Sequence, residues 1–423
     1  MRGAGGRRAG WIALLLVLAL LVGCGAQPAQ GPQPTDMPQS TSAPGELAPA
    51  EPGEYRAVWI SYLEWQGVDF STEEGFRAQV QQMLDHCADL GLNTVIAQVR
   101  SFGDALYPSR LFPWSHLCTG QQGQDPGYDP LAILVQEAHA RSLRLEAWVN
   151  PYRVALPHAP QGDLAPTNPA VVHPEWVKQV VNGDGGVSLF LEPSSGPVQQ
   201  YILDGVLEIL DRYPVDGIHF DDYFYPDPDP AFDAGEYGAA GSGLSLEEWR
   251  RGNVNALVSA VYDGIKAHSP GVSFGISPQG NPDNNYHSQY SDVGLWMRQG
   301  GYVDYVMPQL YWGYGYTTQG GSTRFAFENI TREWAGMERA PSVALYAGLG
   351  AYRIGVGDGS SDPGSAAQWS SGHNLADMMD TLDQAGFDGY ALFRYDHLFR
   401  SDDWAQQARQ EAQAIRGRQG AAA

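Results

Sequence analysis

The segment VDGIHFDDYFYP, residues 215–226, combines the start of a buried strand with a cluster of acids. It opens on apolar and small residues. It then places His219, Asp221 and Asp222 where more hydrophobic residues would be expected, and it closes on aromatic residues. Charged groups are costly to bury unless they are paired or needed for chemistry. The segment therefore marks either a folding feature or a reactive site.

Apolar runs closed by polar residues recur along the chain on both sides of this segment. Helical patterns separate eight predicted strands, beginning with YRAVWISYLEW (55–65) and continuing through LRLEAWVNPYRV (143–154), YVDYVMPQLYWGY (302–314) and SVALYAGLGAYRIG (342–355). Eight strand-then-helix units predict an α/β fold, a (β/α)8 TIM barrel with insertions in its βα loops. A doubly wound open sheet is the alternative, but no glycine-rich phosphate loop follows the first strand.

The first 53 residues predict export. Residues 1–23 join arginines to the apolar run WIALLLVLALLVG, as in a lipoprotein signal peptide, and LVGC resembles a lipobox with Cys24 as the lipidated residue. An ordinary signal cleaved near residue 26 is the alternative. Residues 24–53 are rich in Pro, Gly and Ser and predict a disordered tether, which leaves 54–416 as the barrel domain. We expect a protein anchored by lipid to the bacterial cell membrane, facing outside the cytoplasm.

The charge balance restricts the partners. The chain has 25 Lys and Arg against 48 Asp and Glu, a net charge of −23, and its lysines are Lys178 and Lys266. Nucleic acid requires clustered positive charge, so it is excluded as a partner, whereas neutral sugars are compatible. Cys87 and Cys118 could pair outside the cytoplasm or remain two separate buried thiols, and the sequence leaves both open.

In a TIM barrel, functional residues lie at the C-terminal ends of the strands. Strand alternation places Glu146, Trp148 and Asn150 on one face, and likewise His219, Asp221 and Tyr223, so these faces should converge on the barrel mouth. By the same alternation Asp222 should face away from the axis, where a structural salt bridge is as plausible as catalysis. His219 is either a site residue or a satisfied core histidine.

Acids among aromatic and amide side chains, in an exported barrel, predict cleavage of a glycosidic bond. Asp221 and Glu146 are the predicted catalytic carboxyls, supported by Asp222. The predicted substrate-binding residues, aromatic platforms and polar partners for sugar hydroxyls, are Arg100, Trp148, Asn150, Tyr152, Arg153, His219, Tyr223, Tyr225, Gln309, Tyr311, Trp312 and Arg394. No HExxH pattern is present, and the acidic loop at 227–235 lacks calcium-loop spacing, so no metal or cofactor is expected.

Four blocks carry a family resemblance. EYRAVWISY, LEAWVNPYRV, VDGIHFDDYFYP and YVDYVMPQLYWGY resemble the bacterial glycosyl hydrolase-like family 10 lipoproteins, over residues 54 to about 355. The resemblance implies a TIM-barrel glycoside hydrolase at the cell envelope, with peptidoglycan glycan strands as substrate and acidic positions at Asp221, Asp222 and Glu146. Glu192-Pro193 departs from the family's usual Asn-Pro, which leaves the subsite near that loop undetermined.

A more distant likeness bears on mechanism. VDGIHFDDY is similar to the strand-four signature of family 18 chitinases at Asp216, Gly217 and Asp221, but Tyr223 replaces the catalytic Glu. That mechanism cannot be transferred, although an N-acetyl group on the substrate could still serve as nucleophile. The rival hypothesis is a carbohydrate-binding lipoprotein that kept the barrel without catalysis.

Overall fold

The computed structural model describes residues 55–157 and 163–422. The predicted signal peptide, Cys24 and the predicted tether lie outside the described residues. In the described part of the chain, no helix is long and apolar enough to cross a membrane.

Twelve strands are present among the described residues. They are β1 (Tyr55–Ile60), β2 (Thr94–Arg100), β3 (Arg144–Val149), β4 (Arg153–Ala155), β5 (Val177–Val181), β6 (Val187–Leu191), β7 (Gly217–Phe220), β8 (Ser273–Ile276), β9 (Tyr305–Val306), β10 (Gln309–Leu310), β11 (Ala344–Leu349) and β12 (Gly389–Leu392).

Nine of these strands form one closed parallel sheet. Its order is β10-β11-β12-β1-β2-β3-β7-β8-β9, and a further pairing of β9 with β11 closes the ring. The short strands β9 and β10 are two parts of the sixth predicted strand, so the sheet is an eight-stranded barrel. The seam between the chain ends pairs β1 with β12, with Tyr55 opposite Gly389. The predicted (β/α)8 barrel is confirmed.

Helices surround the barrel. They are α1 (Tyr62–Trp65), α2 (Glu73–Asp89), α3 (His116–Thr119), α4 (Pro130–His139), α5 (Pro169–Val172), α6 (Gly196–Arg212), α7 (Ala234–Ala240), α8 (Leu246–His268), α9 (Pro282–His287), α10 (Val293–Arg298), α11 (Phe327–Ala335), α12 (Pro363–Gln368), α13 (Asn374–Ala385), α14 (Tyr395–Leu398) and α15 (Ala405–Ala422), with 3-10 turns at Pro174–Trp176 and Ala351–Arg353.

The sequence of α6 shows why such a helix forms and packs on the sheet. The Ser195 side chain accepts a hydrogen bond from the Val198 amide and so caps the first turn. Val198, Ile202, Val206 and Ile209 follow at helical spacing and are buried, which places one apolar stripe against the barrel. Burying each such side chain contributes roughly 1.5–3 kcal/mol before entropy losses. The helix thus orients β7, which follows it.

The insertion after β3 contains a small antiparallel sheet that the sequence did not predict. Its order is β4-β6-β5. Glu192, at the unusual Glu-Pro position, is buried and lies 3.1 Å from Lys178, which also contacts Glu236 at 2.6 Å. This ion network joins the first insertion to α7 in the second. Glu192 therefore has a structural partner here and does not line the cleft described below.

The acidic loop after β7, residues 227–235, is only partly solvated. Asp229 is exposed, but Asp233 is fully buried and pairs with Arg250, whose side chain is also fully buried. The guanidinium also donates to the carbonyl oxygens of Pro228 and Asp229. Arg250 therefore fastens the loop to α8. Within the described residues, no group of three or more His, Cys, Asp or Glu side chains is placed to hold a metal ion.

The two described cysteines do not pair with each other. Cys87 and Cys118 are both buried free thiols. Of the two states that the sequence left open, the structure shows the separate buried thiols.

Aromatic side chains fill the inside of the barrel. A core cluster there includes Tyr55, Trp59, Trp148 and Tyr305, and the ring of Tyr346 stacks on Tyr55 with 4.0 Å between centroids. The interior of the barrel is consequently filled by side chains, and the uppermost of them form the floor of a cleft at the C-terminal ends of the strands.

Candidate active site

One cleft lies at the C-terminal ends of the barrel strands, with a volume of about 360 Å³. Its lining residues come from strands, and from the segments that follow them, around most of the barrel: Trp59, Ser61, Tyr62, Leu63, Gln98, Trp148, Arg153, Leu156, Asp221, Asp222, Tyr223, Ser277, Gln309, Tyr311, Tyr352 and Phe393. The carboxylates in this lining are two adjacent residues. This cleft is where the predicted site residues must be placed.

Asp221 and Asp222 both line the cleft, and both are nearly buried. The prediction that Asp222 faces away is wrong, because β7 ends at Phe220 and strand alternation no longer applies beyond it. The two carboxyls therefore lie side by side on one wall. Neighbouring carboxyls in a desolvated site cannot both ionise easily.

Each carboxyl has its own hydrogen-bond partners. The Asn150 amide donates to Asp221 Oδ2, and the backbone amide of Tyr223 donates to Asp221 Oδ1 at 3.3 Å. Gln309 Nε2 donates to Asp222 Oδ1 at 3.0 Å. Side-chain amides thus orient both acids, a support that keeps catalytic carboxyls in place.

The environment shifts both acids toward the protonated form. Burial raises the pKa of Asp221 to about 7, against the opposing effect of the Arg153 charge. Burial also raises the pKa of Asp222, while the amide of Gln309 favours its charged form. Because the two carboxyls are neighbours in a desolvated site, ionisation of one opposes ionisation of the other.

Arg153 is the cation that faces this pair. Its guanidinium donates to Asn150 Oδ1 at 2.6 Å and lies 5.5 Å from the ring centroid of Tyr223. The rings of Tyr62 and Phe102 lie at 5.7 and 5.1 Å. Arg153 therefore ties the acid-holding amide to the aromatic wall of the cleft.

The walls are aromatic, as a sugar platform requires. Tyr311 stacks on Phe393 with 5.5 Å between ring centroids and meets Tyr352 edge-on. On the other side, Tyr223 is 48% exposed, which leaves its ring open to a ligand. The Trp148 indole N–H is buried with no hydrogen-bond partner in the described structure.

Glu146 does not lie at the barrel mouth. It sits in the lower half of β3, opposite Gly217 at the start of β7, and is only 2% exposed. Tyr305 donates a hydrogen bond to its carboxylate. Alternation correctly places Glu146 on the inner face with Trp148, but too deep to reach the cleft. The predicted pairing of Glu146 with Asp221 across a substrate is therefore wrong.

His219 is a fully buried residue beneath the cleft floor. Its Nδ1 lies 2.8 Å from Tyr305 Oη, and its Nε2 lies 2.9 Å from Ser277 Oγ and 3.2 Å from Trp59 Nε1. Burial lowers its pKa to about 3, so the ring is neutral at ordinary pH. The predicted contact of His219 with the substrate is therefore not possible in this arrangement.

Six other predicted binding residues lie outside the cleft lining: Arg100, Asn150, Tyr152, Tyr225, Trp312 and Arg394. Asn150 acts behind the wall, where it donates to Asp221. An irregularity in the pairing of β2 at Gln98 and Arg100 breaks alternation, and Arg100 turns outward onto Phe112, 4.2 Å from the ring centroid. Tyr152 is completely buried in the core.

The remaining three residues support neighbouring segments instead. Tyr225 lies under the Arg250 guanidinium, 5.2 Å from ring centroid to charge. Trp312 stacks on Phe325. Arg394 donates to the Glu64 carboxylate and thereby holds α1, which carries Tyr62 into the cleft wall.

Several cleft residues were not among the predicted binding residues: Trp59, Ser61, Tyr62, Leu63, Gln98, Leu156, Ser277, Tyr352 and Phe393. Gln98 and Ser277 are polar ends of predicted strands, and that signal could have identified them. Gln98 accepts from the Tyr62 backbone amide at 2.8 Å and donates to Asn150. It thereby connects the first loop to the amide that holds Asp221.

Residues 54–366 match the model of the family described as glycosyl hydrolase-like 10. The chain belongs to this family. The match spans the barrel through β11 and includes both cleft aspartates. Membership confirms the resemblance carried by the four sequence blocks, and it agrees with a glycoside hydrolase fold.

Two relatives in this glycosyl hydrolase-like family cover most of the chain. It is 35% identical over 330 residues to glycosyl hydrolase YngK of Bacillus subtilis (strain 168), over 71% of this chain and 61% of the relative. It is 33% identical over 431 residues to glycosyl hydrolase DigH of Escherichia coli (strain K12), over 91% and 92%. The chain thus spans under two thirds of YngK and nearly all of DigH.

Solved structures share the fold of this family member at low sequence identity. The catalytic domain of a β-amylase from Paenibacillus polymyxa superposes with a TM-score of 0.50 at 12% identity, covering 86% of this chain and 100% of the other. A β-galactosidase from Halorubrum lacusprofundi superposes with a TM-score of 0.52 at 12% identity, covering 86% of this chain and 58% of the other. These likenesses establish the barrel alone.

Proposed function

We propose that this protein is a glycoside hydrolase that cleaves glycan strands of 2-acetamido sugars, with peptidoglycan strands as its substrate. The observation that carries the proposal is the buried pair Asp221 and Asp222 in an aromatic-walled cleft at the C-terminal end of the barrel. Family membership and the names of the relatives support it. Aromatic walls with a few polar groups, among them Arg153, suit a sugar chain.

In the proposed reaction, Asp221 is the general acid. Glycoside cleavage needs a protonated carboxyl beside the leaving oxygen and a group that stabilises positive charge at C1. We assign the proton of the pair to Asp221, whose pKa burial raises to about 7, and the charge to Asp222, which accepts from Gln309. The two acids are neighbours on one wall, and no carboxylate among the lining residues faces them. A mechanism with one carboxyl on each side of the glycosidic bond therefore lacks its second acid.

The substrate's own acetamido group fills that place. Its carbonyl oxygen bonds to C1 while the bond from C1 to the leaving oxygen breaks and Asp221 gives its proton to that oxygen. Asp222 accepts a hydrogen bond from the amide N–H and so aligns the attacking oxygen. Water then adds to C1, returns a proton to Asp221 and releases the acetamido oxygen. Two displacements at C1 retain the anomeric configuration.

The proposed location is the outer side of the bacterial cell membrane, held by lipid on Cys24. It is supported by the arginines at the N-terminus, the apolar run that follows them and the segment LVGC. Cells grown with labelled palmitate should incorporate label into the wild type and not into the Cys24→Ala variant. Equal labelling of both would contradict lipidation at this residue.

Purified glycan strands stripped of peptide are the substrate that tests the function. We expect release of reducing ends, first products of retained configuration by proton NMR, and no cleavage of strands from which the acetyl groups have been removed. Binding without turnover would instead favour a carbohydrate-binding protein. Inverted first products would contradict the acetamido route and leave the hydrolase in place.

A further inference from the structure

A chain of hydrogen bonds runs through the centre of the barrel from Glu146 to the cleft floor. Tyr305 donates to Glu146 and lies 2.8 Å from His219 Nδ1. On the other side of the ring, Nε2 contacts Ser277 Oγ at 2.9 Å and Trp59 Nε1 at 3.2 Å. Ser277 and Trp59 line the cleft. The deepest acid of the barrel is thus connected to the site.

The donors fix the direction of the whole chain. An indole N–H can only donate, so the Trp59 contact favours an accepting Nε2, and with Glu146 ionised the single ring hydrogen of this neutral histidine resides on Nδ1. Nδ1–H then donates to Tyr305, whose own hydroxyl donates to Glu146. The Ser277 hydroxyl, 2.9 Å from Nε2, then shares this single acceptor with Trp59.

Two glycines make room for this arrangement. A Cβ on Gly217 would lie 2.8 Å from Glu146 Cγ. A Cβ on Gly275 would lie 1.9 Å from the Tyr305 ring. Both distances are shorter than any side chain tolerates, so β7 and β8 each lack a side chain where the acid and its tyrosine enter. The chain of hydrogen bonds depends on this space.

We propose that Glu146 is a positioning residue, which fixes the tautomer of His219 through Tyr305 and thereby directs the Ser277 hydroxyl on the cleft floor. Carboxylates that orient a histidine through its far nitrogen are a general device for presenting the near nitrogen correctly. Here the near nitrogen is Nε2, which contacts the Ser277 hydroxyl and the Trp59 indole, and these two groups line the cleft. Glu146 itself never touches the substrate.

Protonation of Glu146 would reverse the chain. A protonated Glu146 donates to Tyr305, Tyr305 donates to Nδ1, and the ring hydrogen moves to Nε2, where it opposes the Trp59 N–H. Burial raises the pKa of Glu146 to about 7, so the reversal should occur as the pH falls through that value. The titratable groups around Glu146 are Tyr55, Tyr305, Tyr346, Arg144 and Asp216.

Nitrogen NMR of the full chain reports the tautomer directly, with the His219 signal identified by its absence in His219→Asn. In the wild type we expect the Nδ1–H form at pH 8 and a shift to Nε2–H below about pH 7, without double protonation. Glu146→Gln, which still accepts from Tyr305, should remain Nδ1–H at every pH. Glu146→Met, which cannot accept, should remain Nε2–H. An Nε2–H form in the wild type at pH 8, or one tautomer shared by all three proteins at all pH values, would overturn the proposal.

Turnover of glycan strands gives a second readout, which rests on the proposed function. Glu146→Met should lower kcat/KM by up to roughly 10²-fold, the scale of a 1 Å misplacement in a site, while Glu146→Gln stays near the wild type at pH 8. In a Ser277→Ala background Glu146→Met should have no further effect. An undiminished effect there would overturn the role of Ser277. Absence of all turnover would reject the hydrolase and leave the NMR result to decide the positioning. If Glu146→Met does not fold, the wild-type pH series and Glu146→Gln decide it.

Discussion

Replacing Asp221 with asparagine is expected to lower kcat on glycan strands by roughly 10³-fold, the scale of a lost general acid. Asparagine keeps the size of the side chain and an oxygen that can accept from Asn150, so the geometry of the cleft should persist. It has no proton to give to the leaving oxygen. KM should change little, because the proton is needed in the transition state and contributes little to binding.

The pH profile distinguishes loss of the acid from general damage. Activity requires Asp221 protonated and Asp222 charged, so it should fall at acidic pH as Asp222 is neutralised. It should fall again above about pH 7 as Asp221 loses its proton. The residual activity of Asp221→Asn should lack this alkaline limb.

A matched control for Asp221→Asn is available a few residues along the same loop. Asp229 is exposed and lies outside the cleft lining, and its side chain accepts from the nearby Ala231 amide, so Asp229→Asn should keep full activity. Folding of all variants should be compared by urea denaturation. Asp221→Asn with kcat within tenfold of the wild type would remove Asp221 from the chemistry.

Replacing Asp233 with alanine should cost about 3–5 kcal/mol of unfolding free energy, the usual cost of leaving a buried charge without its partner. The Arg250 guanidinium, fully buried, lies 2.5 Å from Asp233. It also donates to the Pro228 and Asp229 carbonyl oxygens, so it cannot swing into solvent without releasing the loop after β7. Denaturation in urea measures the loss.

Two comparisons test this assignment for Asp233. Asp283→Ala breaks an exposed ion pair, in which the side chain of Asp283 is 61% exposed and that of Arg324 is 39% exposed. It should cost less than about 1 kcal/mol of unfolding free energy. Asp233→Ala combined with Arg250→Met should cost less than the sum of the two single changes, because the second change removes the stranded charge. A cost for Asp233→Ala no greater than that for Asp283→Ala would show that the buried pair does not stabilise the loop.

The barrel could be predicted because buried parallel strands appear in sequence as apolar runs ending in polar residues. All eight such runs are strands of the sheet. The same signal identified Asp221 and Gln309, which line the cleft, and could have identified Gln98 and Ser277. The three-stranded sheet in the first insertion has no comparable signal in its short, mixed segments.

Depth along the barrel axis was not readable in the same way. Alternation assigns a face, and Glu146, Trp148 and Asn150 do share the inner face. Each strand residue advances about 3.3 Å, so Glu146 lies roughly 13 Å below Asn150 along β3. A polar residue on an inner face is therefore a site candidate only at the strand's last positions.

Local irregularities account for the other errors. The break in pairing beside Arg100 reverses its direction, and the end of β7 before Asp221 frees Asp222 from alternation. Tyr62 and Tyr352 enter the cleft from short helical turns, α1 and the 3-10 turn Ala351–Arg353, whose position depends on tertiary contacts such as the hydrogen bond from the Tyr62 amide to Gln98. Spacing along the sequence contains no trace of such contacts.

The cleft can be completed only late in biosynthesis, because the barrel closes by pairing β1 with β12. The wall that carries Tyr62 is held by Glu64, whose partner Arg394 follows 330 residues later. A ribosome adding roughly 5–20 residues per second needs on the order of 20–60 s to cover that interval. Throughout that time β1 has no β12 beside it. A chain that ends before β12 has both aspartates and no cleft to place them in.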